Sequence, residues 1–149
     1  MHPILADKKK LFIYLSAWAL VGVLLALLFL PALDWTTSLL ISMPLAFIYA
    51  FMSLASWYTS RSLPLESTGF LRIAVVTVLS SVISSSLWLI LARGLSFLLA
   101  NILSLPEVVE QFKSNYPILF GVGVLLYLLT TAVHYLLIAF EASRNAERR

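Results

Sequence analysis

The stretch Ile118–Phe140, ILFGVGVLLYLLTTAVHYLLIAF, decides the fold because it contains no Asp, Glu, Lys or Arg. A helix that crosses the hydrocarbon core of a bilayer needs about 20 consecutive, predominantly apolar residues, and this stretch is long enough. Pro117 precedes it and Glu141 follows it. The stretch therefore predicts a transmembrane helix.

Three earlier runs of the same kind predict three further spans, at residues 11–33, 35–58 and 73–92. Trp35 and Trp57, near the two ends of the second span, suit the aromatic belts of a membrane. Pro44 lies inside this span and predicts a kink. A cleaved signal peptide fits the first run less well, because the run is longer than the apolar core of such peptides and no small-residue cleavage site follows it.

The composition supports a single transmembrane domain over residues 1–149. Hydrophobic residues make up 61% of the chain and charged residues only 11%, against about 25% charged in soluble domains. The sequence therefore predicts an all-α four-helix bundle embedded in the lipid bilayer. The net charge of +3 is too small to predict a nucleic-acid partner, and the chain contains no cysteine for disulfide or thiol chemistry.

The basic residues predict the orientation, because lysine and arginine concentrate on cytoplasmic loops. Eight of them fall on the side shared by both termini and the second loop: Lys8, Lys9, Lys10, Arg61, Arg72, Arg144, Arg148 and Arg149. The other side has only Arg93 and Lys113. We therefore expect both termini in the cytoplasm of a bacterial inner membrane protein.

The outer segment, residues 94–116, is too long for a turn. Either the third helix projects beyond the membrane or this apolar stretch lies on the outer surface, and Gly94 favours a break. Ser104-x-x-Glu107 resembles a capping box with Pro106 in the first turn. It predicts a short outer helix, about Leu105–Lys113, that Asn115 and Pro117 end.

His134 is the most notable candidate residue because ionisable side chains within a span are costly and often functional. A neutral imidazole that bonds to a neighbouring helix is the first interpretation, a pH or ligand sensor the second, and a metal site the third. On the outer side, Asp34 fits a solvated carboxylate and Arg93 a side chain that reaches the headgroups; both are candidate outer-face contacts. The chain shows no catalytic, cofactor or metal motif.

The fourth helix is expected to continue into the cytoplasm over residues 141–149, because no proline or glycine interrupts the chain there. Glu141 and Arg144 are three residues apart, which supports a helix. Six residues spaced alternately by four and three form a heptad seam: Leu128, Ala132, Tyr135, Ala139, Ala142 and Ala146. The seam predicts either a homodimer or packing within one subunit.

The segment HYLLIAFEASRNAERR, from His134 to Arg149, resembles the membrane exit of bacterial sensor histidine kinases of the LytS and AlgZ type. The opening MHPILADKKKLFIYLSAW, the serine-rich third span and YPILFGVGVLLYLL from Tyr116 resemble the same proteins. The resemblance implies the membrane sensor domain of a two-component system, continued in the parent protein by a cytoplasmic kinase that phosphorylates a response regulator. The Asn-Pro-His-Phe type motif of the family's phospho-acceptor is missing, so this chain is expected to be non-catalytic.

The leading expectation is thus an input and anchor domain that passes a signal through the fourth helix, with Tyr135, Ala139, Glu141 and Arg144 as candidate signalling or packing residues beside His134. A free-standing small membrane protein, such as a transporter subunit or an assembly factor, is the alternative. A transporter usually has a polar site near the midplane, whereas the polar residues of these spans are mainly hydroxyls that helix packing explains.

Overall fold

The computed structural model describes residues 8–64 and 67–147, and the regular structure in those ranges is entirely α-helical. The helices are α1 (Lys8–Ala26), α2 (Trp35–Ser53), α3 (Ala55–Ser62), α4 (Phe70–Leu103) and α5 (Glu107–Glu147). Four segments are long and apolar enough to cross a membrane, with α2 and α3 together forming one of them. The predicted all-helical fold with four membrane-compatible helices is therefore confirmed, whereas its orientation stays a prediction. His2, Arg148 and Arg149 lie outside the described residues.

The first span is shorter as an α-helix than residues 11–33. α1 ends at Ala26, and the chain continues in tight turns, with the backbone N–H of Phe29 donating to the carbonyl of Ala26 at 3.0 Å. Pro31 keeps the chain from returning to a regular helix before α2, because it has no N–H to donate and disfavours helical geometry in the residue before it. Asp34 then starts α2: its carboxylate accepts hydrogen bonds from the N–H of Thr37 at 3.1 Å and from its hydroxyl at 2.5 Å.

The second span is interrupted at Leu54, between α2 and α3, while α2 passes through Pro44 without a break. The carbonyl of Ala50 would accept the N–H of Leu54 in a regular helix. It instead accepts the hydroxyls of Tyr14, at 2.6 Å, and of Ser53, at 2.9 Å. Hydroxyls that bond to the preceding turn compete with the helix and bend it. The interruption therefore comes from a tyrosine of α1 and a local serine.

The break that Gly94 favours is absent, and α4 continues as one helix to Leu103. A single glycine costs about 1 kcal/mol in a helix, which the apolar residues on both sides outweigh. Ser104 ends α4 in the left-handed conformation (φ 54°), and its N–H donates to the carbonyl of Ala100. An N-cap residue has extended geometry, so the predicted capping box is wrong: Ser104 is the C-cap of α4.

The predicted short outer helix is also wrong, because its residues belong to α5, which starts at Glu107. Asn115 donates from its side chain to the carbonyl of Gln111 at 2.9 Å, and Pro117 lies inside the helix. The carbonyl that Pro117 leaves without a donor belongs to Lys113, which is exposed. Water can serve an exposed carbonyl, so a proline there is tolerated. Both α4 and α5 are thus longer than a bilayer requires.

The helices pack in two sequential pairs, α1 with α2 and α4 with α5, and the pairs meet where α2 packs on α4 and α3 packs on α5. A row of rings crosses this core, with centroid distances of 5.7 Å between Trp18 and Tyr49 and 4.7 Å between Tyr49 and Trp88. The Trp88 indole N–H donates to the carbonyl of Leu45 at 2.9 Å, and the Tyr49 hydroxyl donates to the carbonyl of Gly123. These bonds fix α4 and α5 against α2.

Candidate functional site

His134 lies buried on α5, where that helix meets α3. Its Nδ1 is 2.8 Å from the hydroxyl of Ser56, and its ring stands edge-on to Trp57 at a centroid distance of 5.5 Å. The first interpretation of His134 was an imidazole that bonds to a neighbouring helix, and the contact with Ser56 of α3 is a bond of this kind. Neither Ser56 nor Trp57 was predicted from the sequence as a partner of His134.

The Ser56 hydroxyl determines which nitrogen of His134 carries the proton in this contact. The hydroxyl has one hydrogen, which it donates to the carbonyl of Ser53 at 2.7 Å. Its oxygen is then left to accept a hydrogen bond from His134. The Nδ1 of His134 therefore acts as the donor, an assignment that follows from the hydrogen-bond network.

Hydroxyl groups connect this contact to α1. The Tyr14 hydroxyl lies 2.7 Å from that of Ser53, and the Ser53 carbonyl accepts from Ser56. Each hydroxyl has one hydrogen, and those of Tyr14 and Ser53 both go to the Ala50 carbonyl. The path from α1 to α5 therefore runs from Tyr14 through that carbonyl and the backbone to Ser53, and then through Ser56 to His134. Ser53, Ser56 and Ser60 are buried and spaced by three and four residues, which places them on one helix face. This serine row was the signal in the sequence that could have identified the partner surface of His134.

Tyr135 forms a second contact between α5 and the end of α3. Its hydroxyl donates to the carbonyl of Leu63 at 3.0 Å. One turn further, Ala139 lines a cavity of about 360 Å³ together with Arg61 and Ala142. Glu141 and Arg144 are exposed on the part of α5 that extends past this contact. Of the four candidate residues after His134, Tyr135 therefore contacts α3, Ala139 lines a cavity, and the other two are exposed charged residues.

The predicted heptad seam does not lie in the bundle core. Ala132, Ala139, Ala142 and Ala146 are exposed, and Leu128 and Tyr135 are partly buried. The buried residues of this part of α5 form a different row: Leu119, Gly123, Tyr127, Thr131 and His134. Within the subunit, Tyr135 bonds to the end of α3 and Ala139 and Ala142 line the cavity beside that contact, so packing within one subunit accounts for part of the seam.

Asp34 and Arg93 are not part of the His134 contact. Asp34 is exposed at the start of α2, and its hydrogen bonds with Thr37 lower the pKa of its carboxyl group. Its role as a helix cap was readable from Asp34-x-x-Thr37 but was not identified. Arg93 is exposed on α4, and its carbonyl accepts the hydroxyl of Ser96 at 2.8 Å. Asp34 thus caps α2 and Arg93 lies exposed on α4, and the structure shows no contact that would make them one site within the described residues.

Within residues 8–64 and 67–147, no group of three or more His, Cys, Asp or Glu side chains is placed to hold a metal ion. Comparison with protein-family models, curated proteins and solved structures finds no match to this chain.

Proposed function

We propose that this chain is the membrane-embedded input and anchor domain of a two-component sensor histidine kinase, which passes a signal through α5 to a cytoplasmic kinase in the parent protein. The continuity of α5 carries the proposal. At 41 residues and about 1.5 Å per residue, the helix is roughly 60 Å long, twice the roughly 30 Å of a bilayer's hydrocarbon core. One continuous helix thus links the turn after α4 to the exit segment, the exposed residues 141–147 at the end of α5.

The contacts of α5 support a role in coupling because they are hydrogen bonds, whose strength depends on the orientation of the two groups, and because they lie just before the exit segment. His134 contacts Ser56, and Tyr135 contacts the end of α3. α3 has only eight residues and is separated from α2 at Leu54. A change in the membrane part that moves α3 would therefore displace α5 directly, without first unfolding a long helix.

The exposed seam supports a homodimer as the working form. Alanines at a seam allow two helix backbones to approach closely, and this seam lies outside the bundle core. In the proposed parent protein, two copies of α5 would continue into the dimerising helices of the kinase, which would transfer phosphate to a response regulator. The proposed location is the bacterial inner membrane, with both termini in the cytoplasm.

The alternative of a transporter subunit has less support from the bundle interior. Tyr49 and Trp88, the large polar side chains at its centre, both donate to backbone carbonyls. A transporter site near the midplane needs polar groups that are available to a substrate. Tyr49 and Trp88 instead use their polar groups to hold α5 and α4 against α2.

An insertion series tests the proposal in a fusion of the chain to the cytoplasmic part of a sensor kinase. One residue inserted after Ala142 rotates everything beyond it by about 100°, whereas seven residues restore the heptad phase and add roughly 10 Å. We expect autophosphorylation, measured with labelled phosphate, to change strongly with one inserted residue and much less with seven. Two inserted glycines, which loosen the helix, should uncouple the kinase from the membrane part.

Membrane levels of each fusion, measured by immunoblot, control for failed insertion. If all three insertions leave autophosphorylation unchanged at equal membrane levels, α5 is a passive tether and the signalling proposal is wrong. The four-helix architecture would be unaffected by that result.

A further inference from the structure

A cleft lies between α1 and α5. It has a volume of about 210 Å³, and its walls include Tyr14, Ala17 and Val21 of α1 and Leu129, Val133 and Leu137 of α5. The lining is almost wholly apolar. Sites for drug-sized ligands typically measure roughly 300–1,000 Å³, so this cleft suits a single linear chain better than a ring system.

The cleft faces the surroundings of the bundle. Ala17, Leu129, Val133 and Leu137 are exposed, although they belong to helices apolar enough to cross a membrane. In a bilayer, such side chains are solvated by acyl chains. The cleft is therefore open to lipid along its length.

A positive charge lies at one end of the cleft. Lys10 precedes Tyr14 by four residues and Ala17 by seven, so the three share one face of α1. Lys8 points away from this face, because two residues turn a helix by about 200°; it lines a different surface with Phe12 and Ile13.

On α5, the face of the cleft continues from Leu137 to Glu141 and Arg144, four and seven residues later. The opposite charges of these two residues offset each other. Among the residues that the structure describes, the mouth of the cleft therefore carries the net positive charge of Lys10.

We propose that the α1–α5 cleft is a binding site for one anionic phospholipid, with an acyl chain between the helices and the phosphate group on Lys10. The apolar walls match the chain, and Lys10 lies where the headgroup of such a lipid would be. Because the lipid would contact both helices at the level of Tyr14 and His134, its presence would set their separation next to the α3–α5 contact. The inference concerns lipid binding and does not rest on the proposed kinase function.

The purified chain in detergent, exposed to an equal mixture of phosphatidylglycerol and phosphatidylcholine, tests the site by native mass spectrometry. We expect one lipid per chain to be retained, with phosphatidylglycerol preferred. Lys10→Gln should lower the ratio of retained phosphatidylglycerol to phosphatidylcholine about fivefold, the effect of roughly one basic residue at an anionic surface. Lys8→Gln is the matched control and should leave the ratio unchanged.

A second pair of variants tests the acyl-chain part of the site. Ala17→Phe fills the cleft and should reduce retention of both lipids, whereas Ser16→Phe, at an exposed position outside the cleft lining, should not. Equal retention of the two lipids, or equal effects of Lys8→Gln and Lys10→Gln, would overturn the site. A lipid-free dimer that Ala17→Phe dissociates would show that a second copy occupies the cleft, which would also overturn it.

Discussion

The close approach of α4 and α5 at Gly123 can be tested by a single methyl group. A Cβ at Gly123 would lie 2.8 Å from the Ser85 Oγ and 3.1 Å from both the Ser85 Cβ and the Trp88 Cε3. Trp88 cannot easily turn away, because its indole N–H is bonded to the carbonyl of Leu45. Gly123→Ala should therefore force the helices apart. Overpacking of this kind costs about 1–3 kcal/mol of unfolding free energy.

Gly121→Ala is the matched control, because a Cβ at Gly121 meets nothing within 4 Å. Both glycines lie in α5, and alanine is favoured over glycine in a helix by about 1 kcal/mol. That gain is the same for the two variants and so does not affect their comparison. Gly123→Ala should consequently be less stable than Gly121→Ala by about 1–3 kcal/mol, the cost of the overpacking alone.

The difference can be measured by reversible unfolding of the purified chain in mixed micelles with increasing sodium dodecyl sulfate, followed by circular dichroism. Ser85→Ala removes the closest contact, which is the Ser85 Oγ. The deficit of Gly123→Ala should therefore shrink in a Ser85→Ala background, as expected for residues in contact. Equal stability of the two glycine variants, or a deficit that Ser85→Ala leaves intact, would refute the packing argument.

Three further predictions concern topology, the His134 contact and the start of α2. Because the chain contains no cysteine, single Ser67→Cys and Ser104→Cys variants can be labelled in intact cells; we expect an impermeant thiol reagent to label only Ser104→Cys, and the reverse pattern would invert the topology. His134→Leu should alter autophosphorylation of the kinase fusion at unchanged membrane levels, because it removes the α3–α5 hydrogen bond; unchanged output would leave His134 as a packing residue. Because the pKa of Asp34 is lowered, its carboxylate stabilises the fold above its ordinary pKa of 3.8 and loses this effect as the pH falls further. In acid, the unfolding free energy of the wild type should therefore decrease relative to that of Asp34→Asn. Parallel pH profiles of the two proteins would contradict this.

The four apolar helices were predictable because length and hydropathy alone determine whether a helix can cross a bilayer. Their ends were harder to predict, because local signals compete with the length of the whole helix. Pro31 lies in the turns between α1 and α2, whereas Gly94 and Pro117 lie inside helices that continue on both sides of them. A glycine or proline therefore marks a helix end only where the residues around it also stop favouring a helix.

The interruption at Leu54 could not be read from its own neighbourhood alone. Ser53 is a local cause, but the hydroxyl of Tyr14, which also bonds to the Ala50 carbonyl, lies 36 residues earlier in the chain. His134 was identifiable as the ionisable residue of its span, but its partner Ser56 lies 78 residues away. The sequence thus revealed which residue needed a partner, and only the packing of the helices revealed the partner.

The contacts of α5 constrain how a signal could pass along it. The helix is held to the core at Gly123, which accepts the Tyr49 hydroxyl, and it is held to α3 at His134 and Tyr135. Rotation of the whole helix would break both sets of bonds, whereas a tilt about the close packing at Gly123 would preserve the first set. α3 could follow such a tilt, because the helical hydrogen bond that would tie it to α2 at Leu54 is replaced by the Tyr14 and Ser53 hydroxyls. The arrangement therefore favours a pivoting movement of α5 and α3 together, with α1 linked to it through Tyr14.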